Sequence, residues 1–204
     1  MKLYCYKNAG SFAVRIIINE LGLHVNYEFI ETLQTRDKKT ESGEDFRKIN
    51  PKNQIPALLL DDGRLLTEII AILHYLSDLK GDESLTQAKN FNKYKVLEWL
   101  SFSSSELHKN FASILSPLVP VDAKEGFQRV LISKLKFADK FLENKDFLIA
   151  GVFTLADAYF FTILSWLKFI KIELISFPSI EIYYNKLKER PSIQKSKTEE
   201  GLEL

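Results

Sequence analysis

Near the start of the chain, the stretch YKNAGSFAVR (residues 6–15) leads from a short apolar run into a helical pattern. Its turn carries one hydroxyl, Ser11, and no cysteine. Ser11 sits where a helix N-cap belongs, so its oxygen is suited to receive a free backbone N–H. The one cysteine, Cys5, falls inside the preceding strand pattern, sharing a face with Leu3 while Tyr4 and Tyr6 take the other, which suits a small buried hydrophobe. Thiol–disulfide or peroxidase chemistry needs its cysteine at a helix start, where the pKa is lowered, and Cys5 is not there. A second stretch, NQIPALLLDDGRLLTE (residues 53–68), places a proline between a loop and an edge strand, then an Asp-Gly turn, then a helix start. Ile55–Pro56 is either a cis bond, which turns the Ile55 backbone outward to pair with an extended peptide, or a trans proline opening an edge strand. The local pattern allows both. Further along, Ser101, Ser105 and His108 are spaced four and three apart, which puts them on one helical face beside Lys109. So polar a face looks onto solvent or a cleft. His24, His74 and His108 have no metal-ligand spacing, and no metal site is expected.

These residues need elements to hold them. Residues 1–81 read as β-α-β followed by β-β-α. KLYCY is a buried strand, and SFAVRIIINELGL is a helix capped by Ser11 and closed by Gly22. VNYEFIE alternates as a second strand. The polar stretch TLQTRDKKTESGED is a surface loop. ALLLDDGRLLT is a hairpin about Asp62-Gly63, and Thr67 caps a helix that ends at Gly81. From residue 87 to 204 the pattern is all helical, which marks a second domain. One helix runs to Pro117 and another covers Phe127 to Leu142. FTLADAYFFTILSWLKFI is apolar on nearly every face, so it belongs in the middle of a bundle, opened by a Thr154–Asp157 capping box with Phe153 as staple. SIEIYYNKLKER is a last helix stopping before Pro191.

The composition narrows the partners. With 204 residues, 46% of them apolar, the chain buries a proper core without disulfides or metals. Its 28 basic and 27 acidic residues leave a formal charge of +1, which argues against nucleic acid or an anionic membrane surface as a partner. There is no signal-like leader and no apolar run of spanning length, so a cytoplasmic location is expected.

A thioredoxin-like first half with INPKNQIPAL and LLTE, followed by a helical half with FTLADAY, resembles the cytosolic glutathione S-transferases. MKLY, KKTESGEDF, AILHYLSDL, EWLSF, ELHKNF and the C-terminal TEEGL make it most similar to the bacterial beta class. The resemblance implies a glutathione S-transferase fold, an α/β domain over 1–81 and an all-α bundle over 87–204. It also implies conjugation of glutathione to a small hydrophobic electrophile, glutathione being a co-substrate, and a homodimer. By position, Gln54, Ile55 and Pro56 hold the cysteinyl part of glutathione, and Glu68 and Ile69 hold its γ-glutamyl end. The helix start offers N–H groups to the carboxylate while Glu68 meets the ammonium. Lys38, or its neighbour Lys39, meets the glycyl end. His108 and Lys109 overlook the sulfur. Phe12, Phe111, Ile114 and Leu115 form an apolar lining for the electrophile.

Five departures stand out. Gly10 takes the place of the class's cysteine, Cys5 of a tyrosine, Lys7-Asn8 of proline-glycine, Ser101 of an asparagine, and Ile69 of a glycine or serine. With no cysteine at position 10, a mixed disulfide between protein and glutathione is excluded. Lowering a thiol from about 8.5 to about 6.5 requires roughly 2.7 kcal/mol of preference for the thiolate. A Ser11 hydroxyl donated to the sulfur contributes about 1.5–3 kcal/mol and the helix start about 0.3–1 kcal/mol, which together suffice. Ser11 is therefore the leading candidate for holding the thiolate, with Tyr6 as a second donor. The rival reading is a glutathione-binding scaffold that lost the reaction with its cysteine.

Overall fold

The computed structural model describes residues 1–32, 37–149 and 151–203. Of the loop expected over 32–45, residues 33–36 lie outside the described ones. Two compact units emerge, one made of Met1–Asp82 with Pro191–Leu204, the other of Glu83–Arg190.

The first unit is built on a four-stranded sheet in the order β2-β1-β3-β4. Strand β1 (Lys2–Cys5) pairs parallel with β2 (Asn26–Phe29) across helix α1 (Ser11–Glu20), and antiparallel with β3 (Ala57–Leu59). Strand β4 (Leu65–Thr67) closes the hairpin, with Leu60 and Arg64 joined across the turn and Gly63 at φ 84°. The short helix α2 (Phe46–Ile49) lies between β2 and β3, and α3 (Ile69–Lys80) follows β4. Alternation along β1 sorts the side chains to two faces. Tyr4 packs with Ile30, Phe46 and Ala57, the Tyr4 and Phe46 rings 5.7 Å apart, while Leu3 and Cys5 point to the opposite face and are fully buried.

Register decides what meets where. Tyr4 lies opposite Ala57, and Ala57 lies opposite Thr67. Because both pairings are antiparallel, the end of β1, the start of β3 and the end of β4 share one edge of the sheet. The segments beyond them, Tyr6–Gly10, Gln54–Pro56 and Glu68, therefore emerge together.

Two caps differ from expectation. Gly10, not Ser11, is the N-cap of α1, and Ser11 is its first residue. Thr67 ends β4, and Glu68 caps α3 with φ 76°. The closing glycines stand where expected: Gly22 and Gly81 adopt φ 62° and 68°, and the Leu23 N–H reaches the Ile18 carbonyl at 3.0 Å.

The chain also continues past Pro191 into a further helix, α9 (Pro191–Glu200), which belongs to the first unit, whereas residues 87–204 were expected to form one helical domain. Its inward residues are Ser192, Ile193, Ser196 and Glu200, a stripe at four-residue spacing that is mostly polar. A search for apolar periodicity does not see such a stripe. Two members of the stripe meet α1: Asn19 Nδ2 donates to Ser196 Oγ, and to the neighbouring Glu199 Oε2, both at 2.9 Å, and Arg15 Nε donates to Glu200 Oε1 at 2.9 Å.

In the second unit α4 (Asn92–Phe102) runs into a π-helical segment, Ser103–His108, and then α5 (Lys109–Leu115). Helices α6 (Val121–Leu142), α7 (Leu155–Leu164) and α8 (Pro178–Lys188) complete it. All ten residues of α7 are buried, as its even apolarity requires. The expected capping box is present. Asp157 accepts the Thr154 N–H and hydroxyl at 2.8 Å each, and also the Leu148 N–H and the Tyr183 hydroxyl at 2.9 Å each. One carboxylate thereby ties Leu148, the Thr154 cap and α8 to the central helix. Burial nevertheless raises its pKa to about 6. Replacing Asp157 by Ala strands these donors in a dry interior, and urea denaturation should show a loss of about 2–5 kcal/mol.

Candidate active site

The turn before α1 is closed by its own side chain. Ser11 Oγ donates to the Tyr6 carbonyl at 3.0 Å and accepts the Tyr6 N–H at 3.1 Å. The Ala9 N–H also reaches the Tyr6 carbonyl, and Asn8 sits at φ 48°. Ser11 is fully buried. Its proton is directed at the Tyr6 carbonyl, so the hydroxyl shapes the turn. The expectation has this hydroxyl donate to a thiolate; in the structure it closes the turn.

On the same edge of the sheet, Ile55–Pro56 is cis. Among the described residues, neither backbone group of Ile55 takes a backbone partner. The loop in front of it is fixed by Asn50, whose Nδ2 donates to the Gln54 carbonyl at 2.6 Å and whose Oδ1 accepts the Lys52 N–H at 3.1 Å. Lys38 Nζ donates to the Asn53 carbonyl at 3.0 Å, and partial burial lowers its pKa. Lys39 is exposed, its backbone bridging Asp45 and its carbonyl accepting the Glu31 N–H at 2.9 Å. Lys38 is thus the lysine that the fold brings to the Gln54–Pro56 loop. Glu68 is exposed and holds Lys52 at 2.6 Å, a pair in water that is worth little and easily exchanged. Its φ of 76° is an uncommon setting for a side chain that size, of the kind that collects at binding sites. Ile69, next in line, opens α3 and is nearly buried.

In the second unit the π-helical segment rotates the residues that follow, so the four-and-three spacing of Ser101, Ser105 and His108 no longer defines a common face. Ser105 Oγ bonds back to the Ser101 carbonyl at 3.0 Å, and both serines are exposed. His108 turns inward: Nδ1 and the Tyr159 hydroxyl are 2.6 Å apart, and its ring meets the Trp166 ring edge-on at 4.8 Å. Burial, aided by the charge of Lys109, pushes its pKa down to about 4. Lys109 itself is exposed.

The expected apolar lining divides. Phe12 is 0% exposed and Phe111 1%, the latter edge-on to Trp166, so both side chains pack in the core of this structure. Phe12 is covered because every residue of α1 from Ser11 to Ile18 is buried. Ile114 is half-buried and Leu115 is 49% exposed, and these two remain available.

Residues 11–79 match the family model for the glutathione S-transferase N-terminal domain, and residues 105–197 match that for the glutathione S-transferase C-terminal domain. The chain belongs to the glutathione S-transferase family. It is 36% identical over 203 residues to glutathione S-transferase GstA of Escherichia coli O157:H7, covering 99% of this chain and all of that one. The bacterial beta-class glutathione S-transferase of Sphingomonas chungbukensis superposes with a TM-score of 0.92 at 34% identity over the full length of both chains. A sphingomonad glutathione S-transferase solved with glutathione gives 0.91 at 33%, again over both full lengths.

As a glutathione S-transferase it lacks a usable thiol of its own. Cys5 is buried, its sulfur 3.8 Å from Arg15 Nη2 and from the Glu28 carbonyl, and burial pushes its pKa up to about 12. The lone Arg15 in the apolar run FAVRIII is the signal that sequence reading passed over, since a buried guanidinium demands partners. Its partners are Glu200 and Glu199, and it lies over the Tyr27 ring at 3.6 Å. Among the described residues no group of three or more metal-ligating side chains comes together, and no helix is long and apolar enough to cross a membrane.

The lowered pKa of His108 can be read directly. Its ring should stay neutral from pH 8 down to about 5 in a proton NMR titration, with a midpoint near 4; a midpoint at 6.5 would contradict the burial. A depressed folded value means that the histidine's contribution to stability is full above about 6.5 and is lost as pH falls toward about 4.

Proposed function

We propose that the turn before α1 receives the sulfur of glutathione, and that the first N–H groups of α1 hold it as a thiolate for attack on a small apolar electrophile. The supporting observation is the closed Ser11–Tyr6 pair, which leaves the peptide groups of Gly10 and Ser11 outside the turn's own hydrogen bonds. A backbone N–H to a charged acceptor contributes about 1.5–3 kcal/mol and the helix dipole about 0.3–1 kcal/mol. Their sum meets the roughly 2.7 kcal/mol needed to bring a thiol near 6.5 without any hydroxyl.

The rest of glutathione follows the shared edge of the sheet. The peptide groups of Ile55, with Gln54 and Pro56 around them, pair with the cysteinyl backbone. The N-terminus of α3 at Ile69 takes the γ-glutamyl carboxylate, Glu68 exchanges Lys52 for the ammonium, and Lys38 meets the glycyl carboxylate. His108, neutral at pH 7, acts as a hydrogen-bonding group rather than a cation, and Lys109 supplies the positive charge on its helix. Ile114 and Leu115 contact the electrophile. The enzyme works as a homodimer in the cytoplasm.

Three measurements follow. The protein should be retained on immobilised glutathione and conjugate an aromatic halide faster than buffer; retention without conjugation would leave only a scaffold. Lys38→Ala should raise KM for glutathione roughly five- to tenfold, the worth of one charge-assisted contact, and Lys39→Ala should not. Ser11→Ala should cost about 1–3 kcal/mol of stability by stranding the Tyr6 peptide groups. Loss of turnover at unchanged stability would instead restore Ser11 as the donor to sulfur.

A further inference from the structure

The turn that closes on Ser11 is also held from outside. Glu200, near the end of α9, is 1% exposed, and its two oxygens serve different masters. Oε1 accepts from Arg15 Nε at 2.9 Å, which neutralises a guanidinium that is itself 2% exposed. Oε2 accepts the backbone N–H of Asn8 at 2.8 Å. Asn8 is the residue at φ 48°, in the middle of the turn and two positions before Gly10. A carboxylate 192 positions away along the chain therefore pins the peptide that sets the direction of the sulfur-binding turn.

This linkage has no purely local purpose. Arg15 already has a second acid, Glu199 Oε2 at 3.2 Å, and a ring beneath it, Tyr27. The charge of Arg15 alone does not require a carboxylate that also reaches Asn8. Lys7-Asn8 stands where the resembling class has proline-glycine, and a turn without that stiff proline has more freedom to lose. The Glu200 contact restrains it instead.

We infer that Glu200 is a positioning residue for the glutathione sulfur site, acting through the Asn8 N–H to fix the turn that presents Gly10 and Ser11. This rests on the reading that the turn receives the sulfur. A small displacement of that turn misaligns the N–H groups meant for the thiolate, which should affect the reaction more than the grip on the two ends of glutathione.

The test separates positioning from stability. Glu200→Ala and Glu200→Gln both lose the ion pair with Arg15, but Gln keeps an oxygen for the Asn8 N–H. Both should be destabilised in urea. In the Ala variant kcat should fall roughly tenfold or more while KM for glutathione moves less than about threefold, and the Gln variant should recover most of kcat. Because a buried Arg left half-paired endangers folding, a second variant carries the same question. Arg15→Met with Glu200→Leu replaces the pair by apolar groups of similar volume, a change that is often neutral or stabilising, and it also removes the acceptor for Asn8. It should fold and still show the fall in kcat, with the thiol of bound glutathione titrating higher than in the wild type by ultraviolet thiolate absorbance. A folded double variant with wild-type kcat and wild-type thiol titration would overturn the role of Glu200. Activity falling in step with stability in both single variants would overturn it too. If wild-type protein leaves the bound thiol at its ordinary value, the sulfur-site reading fails, and this inference with it.

Discussion

The Tyr6–Gly10 segment joins a strand to a helix with no ladder of its own, and one serine hydroxyl makes it a defined shape. By donating to the Tyr6 carbonyl and accepting the Tyr6 N–H, Ser11 satisfies both peptide groups of a single residue. Peptide groups turned away from water need partners, and here both of those on Tyr6 meet the helix's first side chain. Of the first N–H groups of α1, that of Phe12 bonds back to the Ala9 carbonyl at 2.9 Å. Sheet register does the rest, because the antiparallel pairings β1–β3 and β3–β4 bring the Ile55–Pro56 peptide and Glu68 to the same edge.

A buried charge is the second requirement. Arg15 lies on the inner face of α1, where a guanidinium left alone would cost several kcal/mol. It gathers two acids from α9, a ring from β2 and a weak contact from Cys5. This explains why the C-terminal helix joins the first unit, although the sequence around it is polar. It also gives the mostly hydrophilic α9 a reason to be ordered: its inward stripe carries partners rather than apolar surface. Asp157 plays the corresponding part in the second unit, where one carboxylate collects donors from a loop, a cap and a neighbouring helix.

Elements defined by apolar alternation, glycine closures and turn chemistry were legible from the residues alone. The β-α-β and β-β-α order, the Asp62-Gly63 hairpin, the Gly22 and Gly81 helix ends, the buried α7 with its capping box and the family itself all came from local pattern or motif. What escaped was set by polar groups meeting at long range. Helix α9 has no apolar period, although Pro191 is as good a first helical residue as it is a stop. The π-helical segment shifts His108 inward by a change in hydrogen-bond register that residue spacing does not announce. Ser11 reads from the sequence as a turn residue, but its pairing with both Tyr6 peptide groups does not, since a hydroxyl's acceptor is decided by the tertiary path of the backbone. Phe12 and Phe111 were assigned to a lining because they are large and apolar, the same property that buried them.

The central claim is that peptide N–H groups at the start of α1, and not the serine side chain, meet the reacting sulfur. A crystal structure with glutathione bound tests it most directly. The sulfur is expected within hydrogen-bond reach of the Gly10 or Ser11 N–H, with the Ser11 hydroxyl still on Tyr6. A Ser11 hydroxyl released from Tyr6 and bonded to the sulfur would contradict it.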